Sequence, residues 1–444
     1  MRLNSAFVTF WEIDLDSLIK NNIKKFLISI FVISFLIRAI FGIVAFQKKG
    51  NTTYSDDWEY IGYAQELLKG NIVHFDEQNK LCDSIILNDV IGPGLPIVIA
   101  PFIYLFGDNY ISIYLFNAVL QSLAIILLYF LARTIFNNKV AILSSLWMIF
   151  YYYHIRYVPR VLKESLLILL VISVFYFFFK SRINRKFGYV VFTAFLFSYL
   201  MHVDERFIIF FPLFLGAFFS LKTSGFKIGL TQSVIFLISV IIFTSPWVIR
   251  NYIKYKRPVI LTTRLQDKIN SMIGVTPIIK PKFPSQADAF YEKYKKREKS
   301  KAELEYNNSG HKPYFYSTSE KIIKNVVEFW RIFRFKPGYI CYGFRFVDRK
   351  LWAGNILSFF LWGIPLILFL ISIPISIYYK KLAALFLILF ILIYGIIHSG
   401  VFIIGMSRYR LPIDPIVIML GFYAIIYILN FIKRNANHKI VPKI

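Results

Sequence analysis

Phe26 to Phe46 reads FLISIFVISFLIRAIFGIVAF. A helix needs roughly 20 apolar residues to cross about 30 Å of hydrocarbon, and this run supplies them. Lys20, Lys24 and Lys25 precede it, and the positive-inside rule therefore predicts a cytoplasmic N-terminus. Comparable runs follow: Ile111 to Ile135, Val140 to Tyr153, Leu162 to Phe179, Phe187 to Met201, Phe207 to Leu221, Gly229 to Thr244, Leu351 to Ile377, Leu382 to Ile404 and Leu411 to Ile432. With the first they make about ten expected spans, some short at their ends. An even count returns the C-terminus to the cytoplasm, so both termini are expected there.

Charge agrees with that alternation. The links expected inside carry Arg133 and Lys139; Lys180, Arg182, Arg185 and Lys186; Lys222 and Lys227; Lys380 and Lys381; Lys433 and Arg434. The 444 residues are 57% hydrophobic and 19% aromatic, with mean hydropathy +0.57, too apolar for an ordinary soluble domain. The formal charge of +27 sits largely in short links, as membrane orientation requires. No zinc-ligand spacing, recognition helix or RNA-binding signature accompanies it, which argues against nucleic acid as a partner. Met1 to Asp16 lacks the order of basic, apolar and small residues of a cleaved leader, and is read as retained.

Three segments break the pattern. Lys48 to Asp89 is polar but contains Asp57 to Lys69, where Trp58, Ile61, Ala64 and Leu68 recur at helical spacing and predict a membrane-surface helix. Leu95 to Phe106, bracketed by Gly92-Pro93-Gly94 and Gly107, is too short to span and is expected to re-enter or lie in the interface. Trp247 to Lys350 has no spanning run and carries a lysine-rich tract, Tyr291 to Lys301. Within it, Ile323, Val327 and Trp330 predict a second surface helix over Glu320 to Phe335. The domain reading is 1–246 as an N-terminal membrane module including the first outer loop 47–95, 247–350 as a long outer loop, and 351–444 as C-terminal helices.

The parity of the spans puts Asp56, Asp57, Glu164, Asp204, Glu205, Arg206, Arg250, Arg408 and Arg410 at the outer face. Ionisable groups near hydrocarbon are costly and call for a reason. Ordinary reasons exist: Asp56 can cap the surface helix with Glu59, Glu164 can complement its helix dipole, and Arg250 can anchor the interface beside Trp247. The chemical alternative is a carboxylate within reach of a hydroxyl proton and guanidinium groups on phosphate oxygens. Tyr151-Tyr152-Tyr153 and Trp330 read as interfacial belt more readily than as sugar-stacking rings. Gly92-Pro93-Gly94 reads as a tight turn, since no nucleotide-binding glycine pattern is present. Cys82 and Cys341 are both expected outside, where they could pair, although two free thiols is the favoured reading. Scattered histidines spell no zinc site, and no nucleophile elbow is present. Two aspartates and a glutamate could hold a divalent cation with waters, but no complete ligand set is spelled out.

Four blocks in order resemble the membrane-embedded, lipid-phosphosugar-dependent glycosyltransferases of the GT-C fold, in the branch that groups protein O-mannosyltransferases with lipid A aminoarabinose transferases. These are Asp56-Asp57-Trp58-Glu59-Tyr60 with Ala64, Leu67, Leu68 and Gly70; Pro93-Gly94-Leu95-Pro96 through Pro101 to Phe106-Gly107; Pro246-Trp247-Val248-Ile249-Arg250-Asn251-Tyr252; and Arg408-Tyr409-Arg410-Leu411-Pro412 with Pro415. The resemblance implies an all-α GT-C bundle. It also implies inverting transfer of a sugar from a polyprenyl-phosphate donor to a lipid, glycan or protein acceptor, in the cytoplasmic membrane with the site facing out. Asp56 would correspond to the catalytic aspartate, Asp57 to its acidic neighbour and Glu164 to the second acidic position. Arg250, Arg206, Arg408 and Arg410 would receive the donor phosphate, and Tyr60, Pro93, Trp247 and Asn251 would support them. The lysine-bearing first-loop motif of the aminoarabinose branch is not evident. Other readings of the same residues are a transporter or flippase of lipid-linked sugars and a membrane glycan polymerase or ligase. The polar groups stay near one face and the long loop is not repeated, which favours surface chemistry over translocation.

Overall fold

The computed structural model describes residues 22–50, 57–70, 89–107, 109–220, 225–266, 325–331, 356–401 and 407–438. Asp56, both cysteines and the tract 291–301 lie outside the described residues, as does most of the expected second surface helix. Every regular element among the described residues is helical.

The elements are α1 (Ile23–Lys49), α2 (Asp57–Leu68), α3 (Gly94–Phe106), α4 (Ile111–Ile135), α5 (Asn138–Ile149), α6 (Glu164–Asn184), α7 (Phe187–Val203), α8 (Phe211–Ser220), α9 (Phe226–Tyr255), α10 (Ile364–Tyr378), α11 (Leu382–Ile396) and α12 (Asp414–His438). Short helical turns at Tyr152–Ile155, Glu205–Phe210 and Ser407–Arg410 join some of them. Among the described residues, seven helices are long and apolar enough to cross a membrane: α1, α4, α6, α9, the stretch Ile356–Tyr378 that contains α10, Leu382–Ser399 containing α11, and Asp414–Ile432 in α12. The other runs expected to span form shorter helices, α5 with 12 residues, α7 with 17 and α8 with 10. The run from Phe207 is short because its first turn, Glu205–Phe210, is wound as a 3₁₀ helix.

Helix α4 lies at the centre, packed on α1, α5 and α6; α6 packs on α7, α7 on α9, and α10 on α12. A continuous aromatic seam of Phe175, Phe178, Phe214, Phe236, Phe386 and Phe390 joins α6, α8, α9 and α11, all of it buried. Exposed leucines, isoleucines and phenylalanines cover the outer faces of α1 and α9. That inversion of soluble-protein order is expected where the solvent is lipid.

The end of α5 inside the bundle has a specific remedy. A helix leaves its last four carbonyls without internal partners, and in an apolar setting each needs a donor. Arg38, fully buried in α1, donates to Met148 O (2.9 Å) and Ile149 O (3.0 Å), and also to Gln121 Oε1 (3.0 Å) and Ser34 Oγ (2.8 Å). Gln121 passes the link on to His154 O at 2.9 Å. The non-helical stretch after α5 is thus anchored, which turns Tyr151 and Tyr153 inward instead of leaving them in an interfacial belt. Tyr151 donates to Asp414 Oδ2 (2.7 Å) and Tyr153 to Ser358 Oγ (2.5 Å).

Two expectations for the polar segments change in detail. Helix α2 forms as the spacing predicts, but the face it buries carries Tyr60, Ile61, Tyr63 and Ala64, with Leu68 exposed. It therefore packs into the protein, against α3, and not only against a membrane surface. The Gly92-Pro93-Gly94 turn is also a packing point: a Cβ at Gly92 would overlap the carbonyl oxygen of His202, and one at Gly94 would overlap Val203.

Candidate active site

The charged groups gather where α2, α3, α6, α7 and the end of α9 meet. Asp204 closes α7 and caps the following turn. Its carboxylate is buried and accepts from Arg206 Nε at 2.7 Å, from Arg206 Nη2, and from Lys163 Nζ at 3.1 Å. Desolvation would raise this carboxyl, but Arg206 and Lys163 outweigh it and hold it well below the ordinary carboxylate range. Arg206 in turn lies over the Tyr409 ring, 4.4 Å from its centroid, and Arg408 lies 4.9 Å from the same centroid while donating to the Tyr409 hydroxyl at 2.9 Å.

Glu164 begins α6 beside this group. Its Oε1 is 3.9 Å from Arg408 Nε, and its buried Oε2 has no hydrogen-bond partner among the described residues. A buried carboxylate oxygen left unmatched is costly in a finished core and calls for a donor from beyond the described residues. Tyr60, on the buried face of α2, lies in the field of Glu164, Arg264, Asp204 and Arg408. Burial first, then the Glu164 charge, pushes its phenol well above the ordinary value. Asp57, one turn earlier on α2, is buried as well.

A second knot adjoins the first. Asp89 accepts from Tyr63 on one oxygen (2.7 Å) and from Arg250 Nη1 (2.5 Å), Lys254 Nζ (2.9 Å) and Tyr255 (2.6 Å) on the other. Desolvation works to raise its carboxyl, and Lys254 and Arg250 together bring it below the usual value. Trp247, Arg250, Asn251, Lys254 and Tyr255 recur at helical spacing and share one face of α9. Trp247 donates to Leu261 O (3.0 Å), and Asn251 to Val259 O (3.0 Å) and Leu261 O (3.3 Å), fastening the chain that leaves the helix. Arg264 then joins the knots: it donates to Val90 O at 2.9 Å and lies 3.4 Å from Glu205 Oε1.

The expected site residues therefore divide. Asp57, Tyr60, Glu164, Arg206 and Arg408 gather at one end of the bundle. Arg250, with Trp247 and Asn251, is engaged by Asp89 and the 259–261 backbone. Arg410 is fully buried, paired with Asp414 Oδ1 at 2.7 Å and stacked 3.3 Å above the Trp362 ring. Pro93 precedes α3 at the glycine turn, and Asp56 is outside the described residues. Asp89, Asp204 as a partner of Lys163, and Asp414 were not anticipated in these pairings. Only Asp414 had a local signal, its four-residue spacing from Arg410. Among the described residues no group of three or more His, Cys, Asp or Glu gathers as a metal site.

Residues 91–249, a little over a third of the chain, match the family model described as dolichyl-phosphate-mannose-protein mannosyltransferase. No curated protein matches the chain in sequence. Among solved structures, the chain resembles the archaeal oligosaccharyltransferase AglB from Archaeoglobus fulgidus in complex with an inhibitory peptide and a dolichol-phosphate, at 13% identity and a TM-score of 0.53 over 95% of this chain and 52% of that one. The apo form of the same archaeal enzyme gives 13% identity and a TM-score of 0.54 over 94% and 52%. A form tethered to an acceptor peptide gives 12% and 0.51 over 92% and 50%. The chain spans about half the length of that enzyme, and the likeness is one of fold. The family match over residues 91–249 and the fold together bear out the resemblance read from the sequence and support a GT-C membrane glycosyltransferase.

Proposed function

We propose that the protein transfers a sugar from a polyprenyl-phosphate donor to a hydroxyl of a lipid, glycan or protein acceptor at the extracytoplasmic face of the cytoplasmic membrane, with inversion at the anomeric carbon. The observation that carries this reading is the meeting of Glu164, with its open carboxylate oxygen, and Arg408 at one end of an apolar bundle. A lipid-linked donor needs an apolar flank for its tail, a cation for its phosphate and a carboxylate for the incoming hydroxyl, and this end of the molecule has all three. The family matched over residues 91–249 carries dolichyl-phosphate-mannose in its name, and the archaeal enzyme of similar fold is described with a dolichol-phosphate. Both support a lipid-phosphate donor.

In this reading a carboxylate of the first outer segment, Asp56 with Asp57 beside it, takes the acceptor hydroxyl proton. The acceptor oxygen forms its bond to the anomeric carbon as the bond from that carbon to the phosphate oxygen breaks, and polyprenyl phosphate leaves with the electron pair. Arg408 stabilises the departing phosphate through paired N–H donors. Its side chain is 24% exposed, against 6% for Arg206 and 0% for Arg410, so it is the most accessible of the three to a ligand. Glu164 receives a hydroxyl of the bound sugar or acceptor on its open oxygen. Arg206 holds Asp204 and the Tyr409 ring, and so sets the wall against which Arg408 lies.

The test is to incubate membranes containing the protein with a panel of polyprenyl-phosphate-linked sugars and follow acceptor-dependent loss of donor. Transfer from at least one of them is expected. Transfer only from a nucleotide sugar would overturn the reading.

A further inference from the structure

We propose that Asp89 is a positioning residue for this transfer, and that Arg250 serves as its clasp and not as a ligand of the donor phosphate. The proposal rests on the donor and reaction class just given.

Asp89 draws together parts of the chain that are far apart in sequence. Tyr63 reaches it from α2, 26 residues away, while Arg250, Lys254 and Tyr255 reach it from α9, more than 160 residues away. An ionised carboxylate offers about four lone-pair sites, and four donors converge on this one, one on Oδ1 and three on Oδ2. Its backbone carbonyl is used as well, accepting from Thr263 N–H at 3.1 Å. The residue adopts φ +50°, a left-handed conformation that aspartate tolerates better than most side chains. A single residue thus fixes the start of the α3 turn, the inner face of α2 and the last turn of α9.

That geometry has a chemical consequence at the other end of α2. Asp57 opens this helix and Tyr60 lies one turn before Tyr63, so the pose of both depends on where the Tyr63 hydroxyl is held. Reacting groups must sit within a fraction of an ångström of a productive pose, and a displacement of about 1 Å can cost roughly a hundredfold in rate. Arg250, for its part, is 7% exposed and spends Nη1 on both Asp89 and Asn251 Oδ1, the latter at 2.8 Å. Nη1, which would be one arm of a paired phosphate contact, is thus committed to a buried carboxylate, and drawing it away would be a costly separation. Arg408 is more exposed, and its approach to Glu164 is longer, at 3.9 Å.

The experiment uses the full chain in lipid nanodiscs with the polyprenyl-phosphate sugar panel, and compares Asp89→Asn, Arg250→Gln, Tyr63→Phe and Arg408→Gln, singly and in pairs. Asp89→Asn and Arg250→Gln should each lower kcat by about tenfold to a hundredfold while leaving the donor KM within about threefold, and the pair should be no worse than the worse single variant, as expected of groups acting as a unit. Arg408→Gln should raise the donor KM, and its effect should multiply with that of Asp89→Asn. A raised donor KM with unchanged kcat in Arg250→Gln, or multiplying effects of the first pair, would overturn the proposal. Tyr63→Phe removes only the α2 link and is the milder change; an unchanged kcat there would overturn the positioning role even if Asp89→Asn failed to fold. If no donor in the panel is consumed, the functional reading fails separately. Thermal unfolding then tests the clasp: the Tyr63→Phe and Arg250→Gln penalties must not simply add, and strict additivity would overturn it.

Discussion

Glu164 Oε1 lies 3.9 Å from Arg408 Nε, and the other oxygen of the same carboxylate is buried without a hydrogen-bond partner among the described residues. The pair is loose by the standard of the neighbouring ones, where Asp204 accepts Arg206 Nε and Asp414 accepts Arg410 Nε at 2.7 Å each. A loose, half-satisfied pair between two tightly closed ones is the arrangement expected of groups that exchange partners during a reaction. Closed pairs around it serve to hold the frame.

Glu164→Gln keeps the shape and removes the charge. Because the amide has a single accepting oxygen and no charge to offset Arg408, donor consumption should fall by about a hundredfold or more, on the scale of losing one preorganised hydrogen-bond partner. The folded yield in membranes should be maintained, since the lost pair is loose. Rates comparable with the parent chain in correctly inserted Glu164→Gln would exclude a role for this carboxylate.

Asp204→Asn should act oppositely, on stability. It leaves Arg206 and Lys163 buried without their counter-charge, and breaking a buried pair costs about 3–5 kcal/mol. Thermal unfolding in detergent checks this through a lowered midpoint. The pH dependence has a defined sign. The folded Asp204 carboxyl is held below its unfolded value by Arg206 and Lys163, so its contribution is present above the unfolded value and is lost as pH falls through the folded one. Asp89 has the same sign, with its carboxyl held down by Lys254 and Arg250. Neither group should make the parent chain less stable between pH 8 and about pH 5. A marked loss of stability in that window, abolished by Asp204→Asn or Asp89→Asn, would contradict the assignment.

The bundle was legible because its signal is local: long apolar runs predict helices wherever they occur, and the blocks at Pro93 and Pro246 lie where the glycine turn and the face of α9 anchor the site. What escaped was pairing. Asp89 meets Arg250 across 161 positions, and no spacing rule reaches that far. Arg38 was hidden for the same reason, because its role is to satisfy carbonyls 110 and 111 positions away, although a lone arginine inside an apolar run is itself a visible anomaly. Tyr151 and Tyr153 were misread as belt residues because an aromatic beside an apolar run looks the same in sequence whether the chain turns outward or inward. The short α5 decides it by ending inside the bundle.

That last point is open to a direct check. Arg38→Lys retains the charge but replaces five planar donors with three on a single nitrogen, too few and too concentrated to serve Met148 O, Ile149 O, Gln121 and Ser34 together. Each buried carbonyl left without a donor costs about 1–3 kcal/mol. Arg38→Lys should therefore lower the unfolding midpoint clearly, and Arg38→Leu should lower it further by also releasing Gln121. Unchanged midpoints in both would mean that the end of α5 does not depend on this side chain.

Gly92 and Gly216 provide a matched pair for the site's packing. A methyl group at Gly92 would overlap the His202 carbonyl oxygen, a backbone atom that cannot swing aside, whereas nothing lies within 4 Å of the position it would occupy at Gly216. Overpacking of this kind costs typically about 1–3 kcal/mol, while alanine in place of glycine inside a helix gains roughly 0.5–1 kcal/mol. Gly216→Ala should thus raise the unfolding midpoint slightly and leave sugar transfer unchanged. Gly92→Ala should lower the midpoint and, because the turn connects Asp89 to α3 against α7, should reduce transfer more than its loss of folded protein accounts for. Equal behaviour of the two variants would show that the close approach of the turn to His202 does not set the geometry of the site.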